Sequence, residues 1–303
     1  MTSILEQMAI LFIIIAIGYI ANKTKVMSPE ADKAITKLVI NVTMPCMILN
    51  SVWGDRIDMS ISDILFFVAM IVASFFIAMA IAFIFVKLKR GDKTDNGLIC
   101  YLSSFSNVGF MGLPIALAVF GESSLFYVAL FNIPYAVMGF SAGVLMISRG
   151  SGKIGLKKLL LTPPLITVII AIILYLLHIN APPIIKSTAS LVGNMTTPAA
   201  MLVVGSLLAS LPLKNVFSEA RLYIVAGIKL LVIPFAIWLI FKQFITNPLA
   251  LGVLVLLSAT PSPTIATMIA MEYGGNDRLA SKGVFITTLF SVVTIPLIIY
   301  LLI

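Results

Sequence analysis

Apolar runs of about twenty residues, the length that carries an α-helix across a bilayer, follow one another along this 303-residue chain. A bilayer core offers no water to unpaired backbone groups, so a spanning chain must be helical or a closed barrel. Barrel strands alternate polar and apolar residues over short segments, and these runs do not alternate. An all-α integral membrane protein is therefore expected. Composition agrees: 60% of the residues are hydrophobic, 11% are charged, and the mean hydropathy is +1.13. A soluble fold of this size could not cover so much apolar surface with so few charges.

Ten spans are expected, near residues 4–22, 34–53, 62–87, 96–120, 123–148, 163–179, 185–210, 217–241, 248–271 and 278–302. The first carries Glu6 and Gln7 near its start and lacks a basic leader and an Ala-x-Ala-like exit, so it reads as a retained helix. In a soluble protein the net charge of +8 would point to nucleic acid. Here the cations fall in short connections, and no nucleic-acid partner is expected. Sixteen of the twenty basic residues follow odd-numbered spans, and three (Arg56, Lys186, Lys242) follow even-numbered ones. The positive-inside rule then makes the odd connections cytoplasmic and places both termini outside the plasma membrane. The longest polar connection, Arg149 to Lys158, divides the chain into a first half (1–148), a cytoplasmic linker (149–162) and a second half (163–303).

The halves repeat one another. Asn41-Val42-Thr43-Met44-Pro45 in span two and Asn194-Met195-Thr196-Thr197-Pro198 in span seven share the pattern N-x-T-x-P at an offset of 153 residues. The same offset lays Gly121 on Gly274, and Asn107-Val108-Gly109 in span four on Thr260-Pro261-Ser262 in span nine. Five spans per half is an odd number, so the second half inserts upside down relative to the first. Such inverted repeats are characteristic of secondary transporters.

Spans four and nine are both expected to break in mid-membrane. Pro261 and Pro263 lack amide donors and clash with the preceding turn, while Gly109 and Gly112 relax the backbone of span four. Paired interruptions at corresponding places in two halves point to a transporter binding site. A broken helix exposes a second N-terminus with unpaired N–H groups and partial positive charge, suited to a carboxylate. Ser106, Asn107, Thr260, Ser262 and Thr264 would supply neutral donors and acceptors around it. The bland alternative is a pair of kinked packing helices whose hydroxyls bond back to their own chain. Asn41 and Asn194 carry the same choice between lining a cavity and capping a proline kink, as does Asn132 beside Pro134.

Lys229 is the ionisable residue nearest the centre of a span, at a cost of roughly 2.5–3.5 kcal/mol on insertion scales. It could oppose a substrate charge, bond broken-helix carbonyls, or snorkel outward. Glu6, Asp63, Glu122, Glu219, Glu272 and Asp277 lie near span ends, and this shortage of buried acids favours proton coupling or facilitated movement over sodium coupling. Cys46 and Cys100 sit in apolar segments without metal or redox spacing, and His178 is the single histidine, so no metal or cofactor is expected.

Leu38-Val39-Ile40-Asn41-Val42-Thr43-Met44-Pro45, Asn107-Val108-Gly109-Phe110-Met111-Gly112-Leu113-Pro114 and the Thr260-Pro261-Ser262-Pro263 break resemble the auxin efflux carrier family over essentially the whole chain. The long cytoplasmic loop of many plant members is absent, so the chain resembles the compact prokaryotic permeases for malate or malonate. The resemblance implies two inverted five-helix repeats of the bile-acid-symporter and sodium/proton-antiporter type. Spans one, two, six and seven would form a scaffold. Spans three to five and eight to ten would form a transport domain, with four and nine crossing at their breaks. It also implies dimerisation through the scaffold and a crossover site at Asn107 and Pro261/Pro263. The expected function is alternating-access transport of a small organic anion. A sodium-coupled symporter of the same plan and a ten-span drug/metabolite exporter are the alternatives. A membrane-embedded enzyme would need placed acids, bases or metal ligands, and a channel would need a charged ring or filter; neither pattern is present in the sequence.

Overall fold

Ser28-Pro29-Glu30 opens a helix with three start signals together. The Ser28 hydroxyl accepts the Ala31 amide at 3.3 Å, Pro29 occupies the first helical position, and Glu30 and Asp32 lie in the first turn. This helix, Pro29–Leu38, passes through a widened turn at Val39–Thr43 into a helix at Met44–Trp53. The second apolar segment therefore begins at Pro29, not at 34. The same device recurs at Val108–Gly112 and Ile228–Val232. Each of the three π turns leads into a helix with proline at its second position: Pro45, Pro114 and Pro234. Proline cannot donate to the carbonyl four residues back and collides with it. An extra residue in the preceding turn absorbs that conflict without stopping the helix.

The computed structural model describes residues 2–53, 59–88, 95–147, 163–210, 216–273 and 275–302. Among these no strand occurs. Among the described residues, seven helical segments are long and apolar enough to cross a membrane: Pro29–Trp53, Ile61–Leu88, Asn96–Phe120, Ser123–Ile147, Pro183–Ser210, Ala220–Phe241 and Asp277–Leu302. Three shorter apolar helices, Ala9–Lys23, Ile166–Leu176 and Pro248–Ala259, accompany them. The linker 149–162, Gly274 and the loop cations Arg56, Lys89, Arg90, Lys93 and Lys214 lie outside the described residues.

The chain forms two compact units. The first comprises Met1–Leu65, Gly109–Ile133 and Leu160–Ser210; the second comprises Phe66–Val108, Pro134–Leu159 and Leu211–Ile303. In the first unit, helix Thr2–Lys23 packs against helix Thr196–Ser210 backbone to backbone. A side chain at Gly18 would strike the Leu202 carbonyl, and one at Gly205 the Ile15 carbonyl. Small residues permit this approach where lipid supplies no hydrophobic drive between helices. A polar chain ties the ends of these helices. Asn22 Nδ2 donates to Ser206 Oγ at 2.9 Å, Ser206 Oγ donates to Asp32 Oδ2 at 2.8 Å, and Lys23 Nζ donates to the Ala209 carbonyl at 2.9 Å. Asp32 is 4% exposed.

The second unit contains an aromatic cluster that anchors the interruption in the fourth apolar segment. Phe105 stacks on Tyr101 with ring centroids 4.8 Å apart and on Phe75 at 5.7 Å, and meets Tyr135 edge-on at 6.3 Å. Rings so held fix the backbone of Phe105. Ser106 and Asn107 follow immediately.

Candidate functional site

Helix Asn96–Ser104 ends before an extended stretch, Phe105 to Asn107, and the chain resumes through the π turn Val108–Gly112 into helix Leu113–Phe120. Helix Pro248–Ala259 ends likewise, and residues 260–263 are non-helical before helix Ile265–Glu272. Pro261 and Pro263 explain the second interruption, since neither can donate a helical bond. Each interruption leaves helix-end carbonyls without intrahelical partners, buried where unpaired groups are costly.

The two interruptions satisfy one another within the second unit. The Asn107 amide donates to the Pro261 carbonyl at 2.8 Å. Ser262 Oγ donates to the Leu102 carbonyl at 2.6 Å, and the Ser262 amide donates to Thr287 Oγ1 at 3.1 Å. Thr260 Oγ1 turns back to its own helix, donating to the Leu257 carbonyl at 2.8 Å. Lys229, fully buried on the π turn Ile228–Val232, donates through Nζ to Ser106 Oγ at 2.6 Å and to the Ser258 carbonyl at 2.9 Å. Among the described residues no carboxylate pairs with it.

Most of the polar groups expected to surround a ligand are thus committed to the protein itself. The amides of Asn107 and Ser262 have partners, and the Thr260 and Ser262 hydroxyls cap carbonyls. Asn107 is the exception. Its side chain is 4% exposed, and among the described residues its Nδ2 has no hydrogen-bond partner. An unmet buried donor costs about 1–3 kcal/mol, which a ligand acceptor would recover. Pro261 and Pro263 are buried, while Gly109 and Thr264 are half-buried and Thr264 makes no capping bond.

The remaining candidates belong to the first unit. Asn41 is exposed, and its Nδ2 donates to the Lys37 carbonyl at 2.7 Å, one turn back. Asn194 lines a small open recess with Asn50, Glu122 and Ser190. The threonines of the two N-x-T-x-P motifs meet directly, Thr196 Oγ1 donating to Thr43 Oγ1 at 2.9 Å. Asn132 Nδ2 bonds the Val128 carbonyl at 3.0 Å, capping its own helix. Sequence reading missed Thr287 and Asp32. A lone threonine in an apolar span carries no signal, whereas the Ser28-Pro29 start signal could have placed Asp32 inside the helix.

Comparison with known proteins agrees with the helical, membrane-spanning character of the chain. The model of the membrane transport protein family matches residues 3–154 and 147–299. An "Uncharacterized transporter" of Methanothermobacter thermautotrophicus is 26% identical over 295 residues, covering 96% of each chain. An "Uncharacterized transporter" of Methanocaldococcus jannaschii is 27% identical over 305 residues, covering 97% of each. A protein of Rhizobium meliloti named "Putative malonate transporter" is 24% identical over 301 residues, covering 96% of this chain and 93% of its own. These names describe membrane transporters, not enzymes. With both halves matched, the chain belongs to the membrane transport protein family, the auxin-efflux-carrier-like family that its motifs resemble.

Proposed function

We propose that the chain is a secondary carrier for a small mono- or dicarboxylate, malonate among the candidates, and that it binds a substrate carboxylate at the interruptions around Asn107. The observation that carries this reading is the buried Asn107 Nδ2, which has no hydrogen-bond partner among the described residues. A carboxylate oxygen is a strong acceptor, and hydrogen bonds to charged groups contribute about 1.5–3 kcal/mol each. Lys229 Nζ, bonded to the neighbouring Ser106, brings a positive charge to the same stretch when protonated. The relative named for malonate supports this substrate class.

Ten spans as two inverted repeats remain the architecture that best joins these observations. Seven long apolar helices and three shorter ones among the described residues support this reading. Residues near a pseudo-two-fold axis touch their own counterparts, and Thr43 meets Thr196 at the repeat offset of 153 residues. The Asn107–Pro261 contact joins positions one residue from equivalence. Alternating access would then move a transport domain of spans three to five and eight to ten against a scaffold of spans one, two, six and seven.

Counterflow in proteoliposomes tests the function. Vesicles loaded with unlabelled malonate should accumulate labelled malonate transiently, and unlabelled malate should compete. Failure of every small mono- and dicarboxylate to drive counterflow would remove the organic-anion reading.

A further inference from the structure

The carbonyl end of helix Pro248–Ala259 points its negative pole at the second interruption. The Thr260 amide closes on the Leu257 carbonyl, but the Ser262 amide, four residues past Ser258, goes to Thr287 Oγ1 and leaves the Ser258 carbonyl without its helical donor. Lys229 Nζ takes the Ser258 carbonyl at 2.9 Å and the Ser106 hydroxyl at 2.6 Å, one oxygen from the helix end before the second interruption and one from the first interruption. Carbonyl and hydroxyl oxygens converging on one buried point are the ligand types a hard monovalent cation uses. Here a side-chain nitrogen with a covalent tether already holds that point, and it is fully buried. No carboxylate among the described residues shares it.

We propose that Lys229 is the resident cation of the interrupted helices, held by Ser106 Oγ and the Ser258 carbonyl, so that the carrier moves its organic anion without sodium. This rests on the organic-anion reading above. The physical reason is exclusion as well as substitution. A second monovalent cation about 4 Å from the Lys229 charge would be repelled enough to weaken its binding roughly a thousandfold at an effective dielectric of about 20. Lys229 also balances one negative charge of an incoming carboxylate, which an inorganic ion must otherwise do. It thereby acts as a positioning residue for both interruptions and, when protonated, as the counter-charge.

Two measurements on the whole protein test this. Malonate counterflow by the unaltered carrier should agree within about twofold in sodium, potassium and choline buffers, whereas Lys229→Met should lower it at least tenfold. A tenfold stimulation by sodium, or a folded Lys229→Met protein that transports normally, overturns the proposal. If Lys229→Met does not fold, the cation series on the unaltered carrier decides alone. Thermal melting without substrate separates this proposal from the organic-anion reading. Sodium chloride and choline chloride at equal ionic strength should give the same midpoint, and a sodium-specific rise overturns the resident-cation assignment whether or not malonate is carried. Absence of counterflow in all three buffers with equal melting midpoints overturns the organic-anion reading, and with it the claim that Lys229 serves anion movement.

Discussion

Asn107→Ala is expected to lower malonate counterflow roughly 10–100-fold, the factor corresponding to one lost hydrogen bond to a charged acceptor. Yield and melting temperature should stay close to those of the unaltered protein. The reason lies in what the side chain does not do: its Nδ2 bonds no protein group among the described residues, so its removal breaks no internal hydrogen bond there. The backbone bond from the Asn107 amide to the Pro261 carbonyl survives the substitution. Ser262→Ala makes the contrasting control. It strands the buried Leu102 carbonyl that Ser262 Oγ caps, so it should lower the melting temperature as well as the flux. Full flux in Asn107→Ala would dissociate the site from transport.

Gly205→Leu should produce the largest loss of folded protein. Even a methyl group at this position drives into the Ile15 carbonyl, and neither helix backbone can withdraw without separating Thr2–Lys23 from Thr196–Ser210. Overpacking commonly costs about 1–3 kcal/mol, and a collision with backbone lies at or above the upper end. Leu207→Phe, on the same helix at a position 37% exposed, should leave the melting temperature unchanged within a few degrees. Fluorescence-detected gel filtration after heating would distinguish the two. A Gly205→Leu protein as stable as its parent would contradict the close approach of these helices.

These contrasts show what a reader of the sequence can and cannot recover. Apolar run lengths place the helices because the bilayer imposes both composition and length. The interruptions are legible because Pro261 and Pro263 cannot donate helical bonds wherever they are placed. The partners of the freed groups are not legible. Nothing local to Ser262 identifies the Leu102 carbonyl, 160 residues away, as its acceptor. Lys229 stands out as a lone cation in an apolar run, yet its two oxygen partners come from elements 29 and 123 residues distant. In the N-x-T-x-P motifs the asparagines attract attention as amides in apolar segments, yet both are exposed, and the threonines make the contact between the two copies. Asp32 was overlooked for a different reason. Hydropathy windows pass over the polar first turn of a helix, although Ser28 and Pro29 announce it.

A structure determined in the presence of malonate examines the site most directly. The account predicts a carboxylate oxygen within about 3.2 Å of Asn107 Nδ2, the ordinary reach of such a hydrogen bond, with Lys229 Nζ still on Ser106 Oγ and the Ser258 carbonyl. Malonate bound elsewhere, with Asn107 Nδ2 still unpartnered, would contradict it.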